Sequence, residues 1–380
     1  MRFFVVLAFT IGINASSAAA DELILVPNST KRVCQLTGDT DRAIGKPTLS
    51  QTSKRFGVLA TDLGSSFEHD GKLYFLFGDT WGRPGERDVM AWTTSAHPEK
   101  IVLDFHKDKD GKWLPLTVPG IKQGAFEIPS GGISVGGVIY VVCTTDHTEK
   151  KTMGRSVLAS SHDHGKTFKL LHELSRGKFI NVSLWSADGW VYIYGSGDYR
   201  KSSVYLARVK PAEIGDPTKV HYFAGLDKDG QPKWLPKEAE AVVLFRYDQI
   251  GEFSVAYLPQ VKRYVMLYNA AKPRGITMRS AKTPWGPWSD GTIVFEPWRD
   301  NGYGQFMHIS AKFKDKKDAL SDPKREDEWG GEYGPYLMAR FTKATEEGCR
   351  IYYTMSTWNP YQVVVMQSDL KMKAGQGEKR

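Results

Sequence analysis

The chain has 380 residues, 12% of them aromatic, with 37 glycines and 11 tryptophans, a balance that favours many short strands joined by turns over long helices. Its formal net charge of +8 is spread along the chain, with lysine-rich pieces at Lys107 to Lys112, Lys312 to Lys317 and Lys371 to Arg380. A nucleic-acid footprint would gather on one element, so no nucleic-acid partner is expected; a solubilising surface or contact with an anionic cell envelope explains the charge better.

Arg2, the apolar run from Phe3 to Ile13 and the small residues from Ser16 to Ala20 have the layout of a secretory signal peptide. The apolar core is too short to span a bilayer, and Ala18 and Ala20 fit the small-residue cleavage pattern, so residues 1–20 are expected to be removed near Asp21. No later stretch is apolar for long enough to cross a membrane. The mature protein is therefore expected in the periplasm or outside the cell, as a monomer without a membrane span.

A turn-and-strand repeat follows. It reads His69-Asp70-Gly71-Lys72-Leu73-Tyr74-Phe75, then Gly136-Gly137-Val138-Ile139-Tyr140-Val141, then Ala187-Asp188-Gly189-Trp190-Val191-Tyr192. Looser copies stand at Gln260-Val261-Lys262-Arg263-Tyr264-Val265 and Glu347-Gly348-Cys349-Arg350-Ile351-Tyr352. Each polar turn reads as a hairpin entering a buried strand, and a second strand such as Ser203 to Arg208 or Gly275 to Arg279 follows. Sheets of roughly 50 to 85 residues stacked radially bury both faces and leave only short edges, whereas a β-sandwich calls for shorter and more even spacing. The expectation is an all-β, single-domain, five-bladed β-propeller over residues 57–370, closed by the segment 21–56 and followed by a disordered basic tail at 371–380.

Ser161-His162-Asp163-His164-Gly165-Lys166-Thr167-Phe168 has the form of the Asp-box hairpin of sialidase-like propellers. Its aspartate is expected to hold its own turn while the aromatic residue packs between strands, a structural role rather than a catalytic one. Trp285-Gly286-Pro287-Trp288 reads as a corresponding outer hairpin.

Polar residues at the entrances of inner strands line the shared funnel of a propeller. Asp62 in Thr61-Asp62-Leu63-Gly64, Asp79 in Phe77-Gly78-Asp79-Thr80, Glu127 before Ile128-Pro129-Ser130 and Glu252 in Gly251-Glu252-Phe253 occupy such places. Glycoside cleavage needs two carboxyl groups about one bond, one protonated to release the leaving oxygen and one ionised to activate water or attack the anomeric carbon. The blander reading is that these acids cap turns and pair with Lys or Arg.

Seven stretches occur in order: Thr61 to Gly64, Phe77 to Thr80, Ile128 to Gly132, Val204 to Arg208, Gly251 to Val255, Gly286 to Trp288 and Met355 to Tyr361. Together they resemble a bacterial family, long carried as a domain of unknown function, whose characterised members are endo-D-arabinanases acting on mycobacterial arabinan. The resemblance runs from about Gly57 to Gln367. It implies a five-bladed propeller glycoside hydrolase with Asp62 as general base or nucleophile, and Asp79 and Glu252 at acidic motif positions. By analogy with related propeller hydrolases Glu252 would be the general acid. The chain departs from the family at Phe253, in place of the usual Leu, in Gly304 to His308, and in a lysine-rich insertion from about Lys312 to Glu328 that lies where it can reshape the cleft.

Trp81, Trp185, Tyr199, Trp358 and Tyr361 are the candidate sugar platforms, with blade packing as the alternative for each. Arg200 is placed to fork onto sugar hydroxyls or to orient a carboxylate, and His308 to hold a water or ion near the axis or to be a satisfied core residue. No H-E-x-x-H, EF-hand, Walker or G-x-S-x-G motif stands in a suitable context, so neither a metal nor an organic cofactor is expected. The expected partner is a polysaccharide or oligosaccharide, cleaved by a hydrolase or bound by a non-catalytic lectin-like propeller. Three cysteines are too few for a disulfide scaffold. Cys143 reads as a buried thiol, and Cys34 and Cys349, near opposite ends, as a potential bridge between the first and last blades.

Overall fold

Asp70-Gly71 joins the strands Ala60–His69 and Lys72–Trp81, and Asp188-Gly189 joins Asn181–Ala187 and Trp190–Ser196. Both pairs have positive φ, 46° then 74° and 51° then 73°, as a two-residue hairpin requires and as Asp-Gly supplies at little cost. Gly136-Gly137 and the turn before Arg263 make the equivalent connections between Pro129–Val135 and Val138–Thr145 and between Ile250–Leu258 and Arg263–Ala270. The fifth copy differs. A 3-10 turn, Ala339–Phe341, and a short strand, Lys343–Ala344, separate the inner strand Gly331–Leu337 from Gly348–Trp358.

The computed structural model describes residues 22–85, 87–148, 153–270 and 272–373. Its five blades are antiparallel sheets with inner strands Ala60–His69, Pro129–Val135, Asn181–Ala187, Ile250–Leu258 and Gly331–Leu337. Each inner strand neighbours the next, and the last neighbours the first, which closes the ring. The chain is a five-bladed β-propeller and a single domain. Five apolar clusters fill the five seams between blades, so every sheet is covered on both faces. Glu22–Leu25 and Lys31–Gln35 both pair with the strand Gln362–Lys373, so the last blade takes its outer edge from the start of the chain.

That pairing matches Glu22 with Lys373 and carries the ladder past residue 370, where the basic tail was expected to begin. Residues 374–380 and the expected signal peptide lie outside the described residues. Among the described residues no helix is long and apolar enough to cross a membrane.

All three cysteines are free, which corrects the bridge expected from the chain ends. Cys34 and Cys349 flank the same strand from opposite sides, opposite Val365 and Leu370 respectively. A five-residue offset along a strand at about 3.3 Å per residue is far beyond the reach of a disulfide.

The Asp-box behaves as a structural device. Asp163 accepts hydrogen bonds from the Ser161 and Thr167 hydroxyls and from the Lys166 and Thr167 N–H groups. Burial opposes ionisation there, but these donors outweigh it and hold the carboxyl at about 2. Phe168 is buried in the seam between the first and second blades.

Candidate functional site

Away from the tight turns, the inner ladders lose their register. Shifts occur on either side of Asp62 and Leu63, between Ile250 and Phe253, and between Tyr333 and Tyr336. A β-bulge breaks the strict alternation of a strand and re-aims a side chain. Here the bulges aim acids toward the axis. Leu63 and Asp79 hold left-handed φ of 66° and 36°. Asp62 pairs with Gly78, where a Cβ would come within 2.9 Å of the Ile128 and Leu63 side chains and 3.1 Å of the Asp62 carboxylate. A Cβ at Gly251 would meet the Asn269 amide at 2.7 Å, so this glycine sets how closely Glu252 approaches its neighbouring strand.

The result is a cavity of about 530 Å³ at one mouth of the axis, lined by Asp62 and Asp79 of the first blade, Glu252 and Asn269 of the fourth, and Glu332 and Tyr333 of the fifth. Asp62 and Glu252 each have one oxygen held by a tyrosine hydroxyl. The Tyr333 hydroxyl donates to Asp62 Oδ2 at 2.9 Å, and the Tyr199 hydroxyl donates to Glu252 Oε1 at 2.7 Å. Among the described residues, Asp62 Oδ1, Glu252 Oε2 and the Asn269 carbonyl oxygen are buried without a protein partner. Buried acceptors left unpaired are costly, so three of them around one cavity mark a place built for donors from outside the chain.

Burial pushes the Asp62 carboxyl well above the usual carboxylate range, and the charges of Asp79 and then Glu252 push it further. The Tyr333 and Tyr361 hydroxyls work in the other direction by stabilising its ionised form. Asp88, buried behind Asp79, is also raised, first by burial and then by the Asp79 charge, with the Gln123 amide donating to it at 3.2 Å.

The aromatic candidates divide. Tyr361 lies 6.2 Å from the Trp81 ring and 5.9 Å from the Trp358 ring, so these three make a continuous cluster from the first blade to the fifth. Trp358 and Tyr361 line the cavity. Tyr199 lines it as well, but as a hydrogen-bond donor to Glu252, with the Arg200 guanidinium 4.7 Å over its ring. Arg200 faces the cavity too. Trp185 does not: its inner strand carries it to a second cavity at the opposite mouth, beside Phe67 and Leu337.

Glu127 also stays out of the cavity. It is buried, accepts from the His147 N–H at 3.1 Å and pairs with Lys122 at 3.6 Å, while the adjacent Phe126 faces the cavity and donates its N–H to Asp79 at 3.3 Å. His308 sits away from the axis with both ring nitrogens engaged, by Asp318 at 2.6 Å and by the Glu326 carbonyl at 2.8 Å. That leaves it no free nitrogen for a ligand, and it serves instead to hold the lysine-rich insertion. The insertion does reach the cleft, because Glu328 accepts from the Trp358 indole N–H at 2.9 Å and Arg325 lies 3.9 Å over its ring.

Sequence reasoning did not pick out Tyr333, Asn269, Phe126 or the Arg274–Glu332 pair, which is bidentate at 3.1 to 3.2 Å. Tyr333 stands at the bulged start of the fifth inner strand, the place that Asp62 and Glu252 hold in theirs. The insertion of a side hairpin after that strand hid it, because the recognisable turn precedes the second strand instead.

A closed five-bladed propeller with buried acids converging on one mouth of its axis defines the class. The chain belongs to the family DUF4185, a domain of unknown function, whose profile matches residues 48–367. Among curated proteins it is 29% identical over 311 residues to notoamide biosynthesis cluster protein J of Aspergillus sp. (strain MF297-2), covering 71% of this chain and 80% of that one. Among solved structures it is similar to a candidate hydrolase from Bacteroides ovatus, with a TM-score of 0.56 at 13% identity, covering 91% of this chain and 93% of that one. A GH43_1 enzyme from Xanthomonas citri matches with a TM-score of 0.48 at 13% identity over 84% of this chain and 92% of that one. At 13% identity the likeness to the Bacteroides ovatus structure speaks for the fold alone.

Proposed function

We propose that this protein is an exported glycoside hydrolase that cleaves furanose-rich glycans of the arabinan class by a two-carboxylate mechanism. The observation that carries the reading is the pair Asp62 and Glu252: they come from the first and fourth blades, share one cavity, and each presents one tyrosine-held carboxylate oxygen and one that has no partner among the described residues. A sugar between them would meet acids on two sides, with Trp358 and Tyr361 offering ring faces to its C–H groups and Arg200 and Asn269 serving its hydroxyls.

In this reading Asp62 is the base or nucleophile and Glu252 the proton donor, with Asp79 tuning Asp62. Burial raises the proton affinity of Asp62, so as the base it acts in the pH range above its raised pKa, where the carboxylate is ionised. The hydroxyls of Tyr333 and Tyr361 supply the donors that stabilise the carboxylate once formed. Export belongs to the same proposal, supported by the pattern of residues 1–20 and by the size of a polymer met outside the cytoplasm.

The test is release of reducing ends from arabinogalactan, lipoarabinomannan and plant arabinan by the wild type, Asp62→Asn and Glu252→Gln. Each variant is expected to lose a factor on the order of 10² to 10⁴. Unchanged activity in both variants would overturn the acid assignment. Binding without release by the wild type would establish a carbohydrate-binding propeller instead.

A further inference from the structure

At the end of the strand Ala60–His69 remote from Asp62, two blades bring three potential ligand atoms together. His69 Nε2 and His164 Nδ1 are 2.9 Å apart, and Asp70 Oδ2 lies 3.4 Å from the first and 3.3 Å from the second. His69 and Asp70 come from the inner turn of the first blade, and His164 from the Asp-box hairpin of the second. We propose that this triangle is a Zn²⁺ site that staples the first blade to the second on the face opposite the candidate active site.

The edge lengths support it. A tetrahedral ion with ligand bonds of about 2.0 to 2.1 Å separates its ligand atoms by about 3.3 Å, and the three edges fall around that value. Two imidazole nitrogens and one carboxylate form a donor set suited to Zn²⁺ and its late transition-metal neighbours, whereas Ca²⁺ and Mg²⁺ take oxygen ligands. The His69 side chain is 1% exposed and those of Asp70 and His164 are 56% and 58% exposed, so the triangle is anchored from inside and open to solvent for a fourth ligand.

The supports are also those of a ligand set. Ser134 Oγ lies 2.8 Å from His69 Nδ1, the outer-sphere contact that holds a ligating imidazole in orientation. The Asp-box bonds of Ser161 and Asp163 set the turn that carries His164, and His106 Nε2 lies 2.9 Å from the His164 carbonyl oxygen. Among the described residues, the ion pairs of Asp70 are with these two histidines, while the nearby Lys72 ammonium lies over the Trp92 ring at 5.2 Å. The competing reading is a ring-to-ring hydrogen bond braced by a carboxylate, and metal uptake separates the two.

The experiment uses untagged full-length protein stripped with EDTA, titrated with ZnCl₂ by calorimetry and followed by thermal unfolding, with CoCl₂ as a spectroscopic probe of tetrahedral coordination. The expected result is uptake of about one equivalent, a Tm raised by Zn²⁺ and not by Ca²⁺, and visible Co²⁺ bands of tetrahedral intensity. His164→Ala and Asp70→Asn alter exposed side chains and should fold, with uptake lost; Ser134→Ala should weaken it about tenfold. No uptake by the wild type, or uptake unchanged in both His164→Ala and Asp70→Asn, would overturn the site. Metal held equally by those variants would belong to other surface groups.

Discussion

The two ends of the strand Ala60–His69 are built on different terms, although a single hairpin supplies both. At the Asp70-Gly71 end the ladder keeps its register from Ser65 to His69, and the adjoining cavity of about 280 Å³ is lined by residues such as Phe67, Trp185 and Leu337. Around Asp62 the register slips twice, and acids from three blades surround about 530 Å³. A regular strand alternates its side chains between the two faces of its blade, so it directs few of them along the axis; a bulge spends ladder hydrogen bonds to do so. The regular end contributes stability, and the irregular end concentrates strained backbone, buried charge and unpaired acceptors.

If that division is real, substitutions at the two ends should separate sharply. Asp62→Asn is expected to lower kcat/KM on an arabinan substrate by about 10² to 10⁴, while Trp185→Ala at the opposite mouth leaves it within about twofold. Comparable losses at both ends, measured by reducing-end release, would collapse the contrast. A smaller effect is expected at the rim, where Trp358→Ala should raise KM about tenfold, the worth of one aromatic contact of ~1.4 kcal/mol.

The next contrast lies within the acidic end. As the base, Asp62 must be ionised, so activity falls as pH drops through its raised pKa. Tyr333→Phe removes a donor that stabilises the carboxylate and should move the acid limb of kcat/KM to higher pH, whereas Asp79→Asn removes a repelling charge and should move it lower. A limb that stays in place in both variants would show that another group titrates.

The smallest effect concerns stability. The folded pKa of Asp62 lies above its unfolded value, so the folded state is favoured while the group is protonated, and that advantage is lost as pH rises through the folded pKa. Asp62→Asn should therefore raise Tm by on the order of 2 °C near pH 8 and by little near pH 4, even as activity disappears. A destabilised variant at both pH values, followed by circular dichroism, would mean that the carboxylate contributes more to the fold than its burial costs.

Much of the architecture was legible because it is local. Asp70-Gly71 and Asp188-Gly189 announce tight hairpins through their backbone preferences, and the apolar runs after them announce strands covered on both faces. The Asp-box was legible for the same reason, since Ser161, Asp163 and Thr167 bond within one turn. The positions of Asp62, Asp79 and Glu252 at strand entrances were readable too, and the fold brings these three to one cavity. Trp185, Glu127 and His308 illustrate the limit, because which mouth of the axis a residue faces, and whether Lys122, His147 or Asp318 claims it, depends on bulges and on contacts between distant segments.

By itself, then, the order of residues determined the repeat, its hairpins and the count of blades, because those follow from short-range backbone preference and strand patterning. Closure of the ring decided the rest. It set Tyr333 against Asp62 and Tyr199 against Glu252, placed the N-terminal strands on Gln362–Lys373, and brought His164 to His69 and Asp70. Apart from His69 and Asp70, the partners in these contacts lie far apart along the chain, so only the radial packing of blades settles them.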